Sequence, residues 1–275
     1  MRRALFPIGL AVSLALAFVF LTLPVAAVFL RASPVELVRQ LGSELAVDAM
    51  LVTLQTSTIA LALILVVGTP AAYALARWQF RGRSVVVALT ELPLVLPPAV
   101  AGIGLLAALG TRGLLGGTLD AFGVRIPFTQ AAVILAVTFV ASPFYLRQAL
   151  VALEALDPDV LDAARTLGAS PARVFRRIVL PLSGGALGAG ATLAWARGIG
   201  EFGATILFAG SLQGETQTLP LAIYAAFDLD RTVALALGAL LIIISLAVLL
   251  TAKLLPSWTR SSLTSASSAA RSTSM

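Results

Sequence analysis

Residues 232–252 read TVALALGALLIIISLAVLLTA, a run of 21 residues without a charged side chain. At a rise of about 1.5 Å per residue, a helix of this length covers the roughly 30 Å hydrocarbon core of a bilayer. The bilayer core offers no water to the backbone, so every amide there must bond internally, as it does in an α-helix. This stretch therefore predicts a membrane-spanning helix.

Five more uncharged runs precede it, at 4–30, 49–76, 92–111, 126–146 and 178–196. Only 12% of the residues are charged and 59% are hydrophobic, whereas soluble domains carry about 25% charged residues. We therefore predict an all-α, polytopic helical bundle over residues 1–256, followed by a disordered cytoplasmic tail at 257–275. Its six spans are expected at about 6–30, 50–76, 84–109, 128–150, 178–207 and 232–254.

The composition also excludes several kinds of chemistry. The chain has no cysteine and no histidine, which excludes disulfides, thiolate metal sites and imidazole base catalysis. The sequence pI of about 10.9 could indicate nucleic-acid binding. Clustering of basic residues in the cytoplasmic loops of a membrane protein explains it better, so we expect no nucleic-acid partner and no metal.

The distribution of basic residues predicts the orientation. A cytoplasmic amino terminus with six spans places 13 of the 19 basic residues inside and five outside, with Arg197 within a span. The positive-inside rule then puts both termini in the cytoplasm. The first span could be a cleaved signal peptide, but the apolar run from Ala4 to Leu30 exceeds the usual core of about 7–15 residues. We therefore expect an uncleaved anchor.

The predicted cytoplasmic loop at 157–177 contains strong helix start and stop signals. Asp157 is placed to cap a helix that starts at Pro158, and Gly168 is placed to end it in a left-handed conformation. Ser170 and Pro171 repeat the start signal. Val160, Leu161 and Leu167 would supply apolar anchors beside the small residues Ala163 and Ala164. The pattern alone leaves open whether this helix enters a groove on a partner or rests on lipid headgroups.

The same loop resembles a family signature. Asp162-Ala163-Ala164, three residues, Gly168, nine residues, Ile178, one residue and Leu180-Pro181 is similar to the E-A-A-x3-G-x9-I-x-L-P motif of ABC importer permeases, with Asp162 in place of Glu. The resemblance implies a type I ABC importer permease fold and a coupling helix that docks on a cytoplasmic ATPase. The coupling residues it implies are Asp162, Ala163, Ala164, Gly168, Ala169, Ser170 and Pro171.

Two other stretches resemble the molybdate and tungstate branch of these permeases. They are LPLVLPPAVAG at 92–102, and GEFGAT at 200–205 followed by GETQTLPLAIY at 214–224; sulfate permeases share GEFGAT. The resemblance implies import of an oxyanion, with molybdate favoured over tungstate and sulfate. An ion-gradient transporter would be expected to show internal repeats and intramembrane charge relays. A membrane-embedded lipid enzyme would need an acidic cluster or a nucleophile with its base. Neither pattern is evident.

Several features within the spans could line the anion path. Pro97 and Pro98, with Pro93, should kink or break the third span, either at the path or as a structural kink. Arg197 and Glu201 are four residues apart and can pair, so that Arg197 either guides the anion or is neutralised. Thr205 completes the predicted path residues. Gly184, Gly185, Gly188 and Gly190 predict close helix packing.

The remaining expectations concern partners. The chain has no G-x-x-x-x-G-K-[ST] phosphate loop, so it is not expected to be an enzyme; it should bind no cofactor, and ATP–Mg should bind to a separate ATPase subunit. One coupling helix per chain predicts a homodimer in the bacterial inner membrane. An extracytoplasmic anion-binding protein would deliver the cargo, and transport would proceed by alternating access.

Overall fold

The computed structural model describes the backbone of residues 2–272 and the side chains of residues 7–251. Over this part of the chain the regular structure is helical: α1 Arg2–Arg31, α2 Pro34–Leu41, α3 Glu44–Arg77, α4 Arg83–Val95, α5 Pro98–Leu109, α6 Gly116–Ala121, α7 Gln130–Glu154, α8 Pro158–Thr166, α9 Pro171–Val174, a π-helical turn Phe175–Val179, α10 Leu180–Ile199, α11 Gly203–Phe208, α12 Leu219–Leu229 and α13 Arg231–Ser272. The all-α prediction is confirmed.

Five helical stretches are long and apolar enough to cross a membrane: Pro7–Arg31, Glu44–Arg77, Gln130–Glu154, Pro171–Ile199 and Arg231–Thr251. Helices α4 and α5, which meet at an angle of 115°, form a sixth candidate, either a broken span or a re-entrant segment. Helix α13 continues into the predicted tail at 257–275. The side chains of residues 252–275 lie outside the described part, and the disordered tail stays a prediction.

The third and fifth spans are both interrupted. The third was expected over 84–109 with a kink or break at its prolines, and it is broken: one helix ends at Val95 and the next begins at Pro98. The fifth was expected to run from 178 to 207. It begins earlier, at Pro171, and ends at Ile199, and the short helix α11 follows after a break. Both breaks occur where proline or glycine interrupts the sequence.

Helices α3 and α7 form the centre of the bundle. Gly68 of α3 permits close approach, because a Cβ added there would lie 3.1 Å from the ring of Tyr145 on α7. The hydroxyl groups of Thr69 and Tyr145 bond to each other. On the other side of α7, Gly190 of α10 approaches Gln148, with a distance of 3.0 Å between the added Cβ and the Gln148 Cβ. Small residues thus allow three spans to pack closely.

Helix α1 packs along α13, and most of its apolar side chains, such as Phe20 and Leu21, are exposed. An exposed apolar helix is expected where lipid is the solvent. The amino-terminal end of α13 has a polar cap: the carboxylate of Asp230 accepts a hydrogen bond of 2.8 Å from the Thr232 N–H. That bond lowers the pKa of the Asp230 carboxyl.

Candidate functional site

Helix α8 begins as its sequence predicts. The Asp157 carboxylate accepts a hydrogen bond of 2.9 Å from the backbone N–H of Asp159, and Pro158 occupies the first helical position. A side-chain acceptor at this place satisfies one of the N–H groups that a helix start leaves without a partner. The start of the helix is therefore fixed to a single residue.

The end of α8 is equally well defined. Gly168 adopts φ +81°, a left-handed conformation that glycine accepts without strain. Its N–H donates to the Arg165 carbonyl at 2.9 Å, and the N–H of Ala169 donates to the Ala164 carbonyl at 3.1 Å. This pair of bonds is a Schellman motif, and the predicted stop at Gly168 is confirmed.

The second start signal is confirmed only in part. Pro171 is the first residue of α9, and the carbonyl of Ser170 accepts from Val174 at 2.9 Å. The Ser170 hydroxyl, however, makes no capping hydrogen bond. Helix α9 is followed at once by the π-helical turn, which continues into α10, so the span itself fixes the direction of this segment without a side-chain cap.

One of the predicted apolar anchors turns inward. Leu161 is buried and belongs to the same core cluster as Leu153 of α7 and Val174 of α9. Ala164 and Ala169 pack against this cluster. Of the three predicted apolar anchors, Leu161 is therefore not available to an outside surface: its side chain packs α8 against the spans. Helix α8 is therefore packed against the bundle.

The outward face of α8 consists of Val160, Ala163 and Leu167, all exposed. Asp162 is also exposed and forms an ion pair of 3.0 Å with Arg165. This face combines apolar side chains with a small residue that lets another backbone approach closely. Its chemistry suits insertion into a groove on a soluble partner.

Sequence reasoning missed the residues that join the ends of α3, α4 and α7 just before α8. Arg77, at the end of α3, donates a hydrogen bond of 3.0 Å to the Leu153 carbonyl near the end of α7. Arg83, at the start of α4, forms an ion pair with Glu154 and donates to the Leu75 carbonyl at 2.7 Å. Both arginines had been counted only as topology signals. Their clustering beside a helix end was the available clue, since cations favour helix carboxyl termini.

The two broken spans lie against each other. A Cβ added to Gly102 of α5 would lie 2.7 Å from the Ala204 carbonyl oxygen of α11. A Cβ added to Gly203 would lie 2.9 Å from the Cβ of Pro98. The stretches at 92–102 and 200–205, far apart in sequence, therefore form one contact at backbone distance. The structure thus places Pro98 beside the segment that contains Glu201 and Thr205.

Glu201 lies two residues before Gly203 of this contact and is buried. One carboxylate oxygen, Oε1, accepts from the N–H of Ala204 at 2.8 Å. The other, Oε2, is 2.8 Å from Nη2 of Arg197. The predicted pairing is confirmed, although the helix that carries Arg197 ends at Ile199 before Glu201 is reached. Glu201 therefore caps α11 and neutralises Arg197 at once.

The remaining predicted path residues differ in accessibility. Pro97 is exposed at the α4–α5 break. Arg197 keeps 28% of its side chain exposed. Thr205 is fully buried, and its hydroxyl donates to the Phe202 carbonyl at 2.8 Å. Within this chain, Thr205 and Glu201 are therefore buried inside the broken segment, while Pro97 and Arg197 reach its surface.

The glycines of the fifth span do not pack as expected. A Cβ added to Gly184, Gly185 or Gly188 would meet nothing within 4 Å. Only Gly190, among the four, makes a close contact within the described chain. Within the described chain, the predicted close packing is therefore found at Gly190 and not at the other three. They leave a smooth, small-residue face exposed on α10.

The region that contains the broken spans and α8 matches a known protein family. A family model described as "Binding-protein-dependent transport system inner membrane component" matches residues 64–261. The chain belongs to this family of inner-membrane transport components. The match includes α8 and both broken segments.

Named relatives come from several organisms. The chain is 41% identical to the molybdenum transport system permease protein ModB of Mycobacterium tuberculosis, over 84% of this chain and 88% of the relative. It is 40% identical to ModB of Escherichia coli K12, over 77% and 92%. It is 34% identical to the sulfate transport system permease protein CysW of Synechococcus elongatus, over 91% of each.

Solved structures support the fold. A bacterial ABC transporter involved in the import of the acidic polysaccharide alginate matches with a TM-score of 0.71 at 17% identity, over 93% of this chain and 96% of that chain. The MetNI methionine ABC transporter matches with a TM-score of 0.58 at 20% identity, over 77% and 94%. The type I importer permease fold predicted from the signature is confirmed.

Proposed function

We propose that this chain is the membrane-spanning permease subunit of an ATP-driven importer that carries molybdate across the bacterial cytoplasmic membrane. The observation that carries the proposal is α8, a helix capped at both ends, attached to the spans by Leu161 and bearing the permease signature. The identity of 41% to a molybdenum permease supports the choice of cargo. Tungstate and sulfate have similar tetrahedral oxyanions and are the alternatives to test.

In this proposal α8 docks on a cytoplasmic ATPase subunit that binds ATP–Mg, while this chain itself hydrolyses nothing. ATP binding moves the ATPase, and α8 follows. Because Leu161 packs in the same core cluster as the ends of α7 and α9, the displacement of α8 reaches the spans. ATP supplies a difference in free energy between inward-facing and outward-facing states, as any conformational drive requires.

The functional unit is proposed to be a homodimer that receives its cargo from an extracytoplasmic binding protein. Two copies supply two coupling helices for a pair of ATPases. The exposed face of Gly184, Gly185 and Gly188 supports this, because small residues permit close contact between helices in lipid. Both termini lie in the cytoplasm in this arrangement.

The broken segments are proposed to border the anion path. Helical breaks at membrane depth are tolerated where they line a cavity or are buried in protein. Pro97, Pro98 and Arg197 would reach the path, and Glu201 and Thr205 would hold the segment in shape. Replacing Pro97 and Pro98 by alanine should reduce uptake; unchanged transport would remove this role.

Reconstitution with its ATPase and binding protein tests the function. We expect ATP-dependent uptake of radioactive molybdate into proteoliposomes, competed by tungstate and only weakly by sulfate. Preferred uptake of sulfate would reassign the cargo. No uptake of any oxyanion, with ATPase bound, would refute the importer.

Crosslinking tests the docking. The chain has no cysteine, so a single cysteine is a unique probe. Leu167→Cys lies on the exposed face of α8 and should crosslink to the ATPase, whereas Leu161→Cys, which is buried, serves as the matched negative control. Equal capture from both positions, or from neither, would contradict docking through this face.

A further inference from the structure

Helix α7 presents two different faces. Tyr145, Ala149 and Leu153, spaced four apart, are buried in the core. Arg147 and Gln148 lie outside this buried stripe, and both are exposed. They open onto a cavity of about 260 Å³ that is also lined by Leu94 of α4, Phe144 and Val151 of α7, and Leu193 of α10.

Arg147 lies near the end of the predicted fourth span, at about 128–150, and directly follows the uncharged run 126–146. It precedes the end of α7 at Glu154 by seven residues, about 10 Å at 1.5 Å per residue. Glu91 follows the start of α4 at Arg83 by eight residues, about 12 Å on the same rise. The two charges therefore lie at similar depth, on the side that the proposed topology makes cytoplasmic.

The two charges do not neutralise each other tightly. Arg147 Nε is 3.7 Å from Glu91 Oε1, longer than a hydrogen bond, and 67% of the Arg147 side chain is exposed. Charges at such depth face water or protein rather than lipid, because lipid exposure is costly. The α4–α7–α10 cavity is lined by four apolar side chains, and Arg147 and Gln148 supply its polar groups.

We propose that Arg147 and Gln148 form an oxyanion contact in the cytoplasmic half of the transport path. The inference rests on the proposed function and assigns a cargo contact within it. A guanidinium can donate two parallel hydrogen bonds to an oxyanion, and the Gln148 amide adds a neutral donor. At about 30 Å³ per water, the cavity holds on the order of eight waters, enough for a tetrahedral anion with part of its hydration shell.

Glu91 keeps this contact transient. Its carboxylate competes with the anion for Arg147, so an anion that enters the cavity meets a cation already partly compensated. Transport needs a site that binds firmly enough to receive its cargo and weakly enough to release it. By competing for Arg147, Glu91 makes release of the anion easier.

The test measures molybdate taken up per ATP hydrolysed in the complete reconstituted importer. Arg147→Gln removes a charged hydrogen-bond donor, which should lower uptake per ATP about tenfold, while loaded binding protein still stimulates the ATPase. Arg147→Lys should restore a large part. Arg39→Gln is the matched control, because Arg39 is equally exposed, at 72%, and paired with Glu36 at 3.1 Å; it should behave as wild type.

A second measurement separates the effect of the charge at position 147 from the effect of side-chain shape. Arg147→Cys should be inactive, should recover uptake after modification with a cationic methanethiosulfonate, and should stay inactive with an anionic one. The cysteine-free wild-type chain, treated in the same assembly, controls for reaction at the partners.

The outcomes are distinguishable. Wild-type uptake per ATP in Arg147→Gln, or equal effects of the cationic and anionic reagents, would overturn the oxyanion contact and leave the importer intact. Joint loss of uptake and ATPase stimulation in the Gln and Lys variants alike would also overturn it, since a purely structural role would then be shown. Failure of the wild-type assembly to move any oxyanion would instead refute the proposed function.

Discussion

Helix α8 and the contact between α5 and α11 represent two ways in which a chain fixes a helix end. Helix α8 is defined by its own residues, from the carboxylate of Asp157 to the left-handed Gly168. The α5–α11 contact depends on glycines about a hundred residues apart, Gly102 and Gly203, each of which lies against the other segment. The ends of α8 are fixed by local interactions, and the α5–α11 contact is fixed by tertiary packing. Substitutions that separate local from tertiary effects therefore test the comparison directly.

The largest effect should come from Leu161→Ala, which tests whether α8 also depends on tertiary packing. Removing a buried leucine leaves a cavity and should cost about 2–5 kcal/mol in the free energy of unfolding. Thermal unfolding in detergent measures it, and stimulation of the ATPase by loaded binding protein should weaken as α8 loosens. Val160→Ala, on the exposed face, is the control for stability. Equal stability of the two variants would contradict the buried role of Leu161.

Gly102→Ala should have the next largest effect, because it tests the tertiary packing itself. The new Cβ would lie 2.7 Å from the Ala204 carbonyl and 3.0 Å from its Cα, so backbone must move, at about 1–3 kcal/mol. Gly104→Ala is the matched control on the same helix, since its Cβ would meet nothing within 4 Å. It should be neutral or slightly stabilising, by up to about 1 kcal/mol. A melting temperature that falls equally in both would refute the close contact.

Gly168→Ala should lower the free energy of unfolding by a smaller amount, because it strains the backbone conformation but creates no steric clash. Its Cβ would meet nothing within 4 Å, but the residue has φ +81°, which costs a residue with a side chain about 1–2 kcal/mol. Gly168→Asn should be milder, because asparagine tolerates the left-handed region better. The readout is the unfolding temperature together with capture of the ATPase from Leu167→Cys. If asparagine and alanine destabilised equally, backbone conformation would not be the cause.

Features fixed by neighbouring residues could be predicted from the sequence, and those that depend on contacts between distant segments could not. The six apolar runs predict the spans because span length is set by bilayer thickness, and the caps of α8 are predictable because each involves neighbours in sequence. The break after Val95 was predicted as a kink or break, but its angle of 115° was not, since proline favours a bend and tertiary contacts set its size. The inward turn of Leu161 and the cavity at Arg147 depend on three or more segments meeting. Neither has a local signature.

The smallest effect should separate two residues that look alike in sequence. Asp157 and Ser170 both precede a proline at a helix start, but only the Asp157 side chain makes a capping bond. Asp157→Ala should therefore destabilise by about 1 kcal/mol, and Ser170→Ala should be close to neutral. Unfolding in detergent at equal salt compares them. Asp157→Asn, which keeps a capping oxygen, should recover most of the loss, because the bond to the Asp159 N–H needs an acceptor rather than a charge. Should Ser170→Ala cost as much as Asp157→Ala, the start of α9 would be fixed by its own cap rather than by the span that follows it.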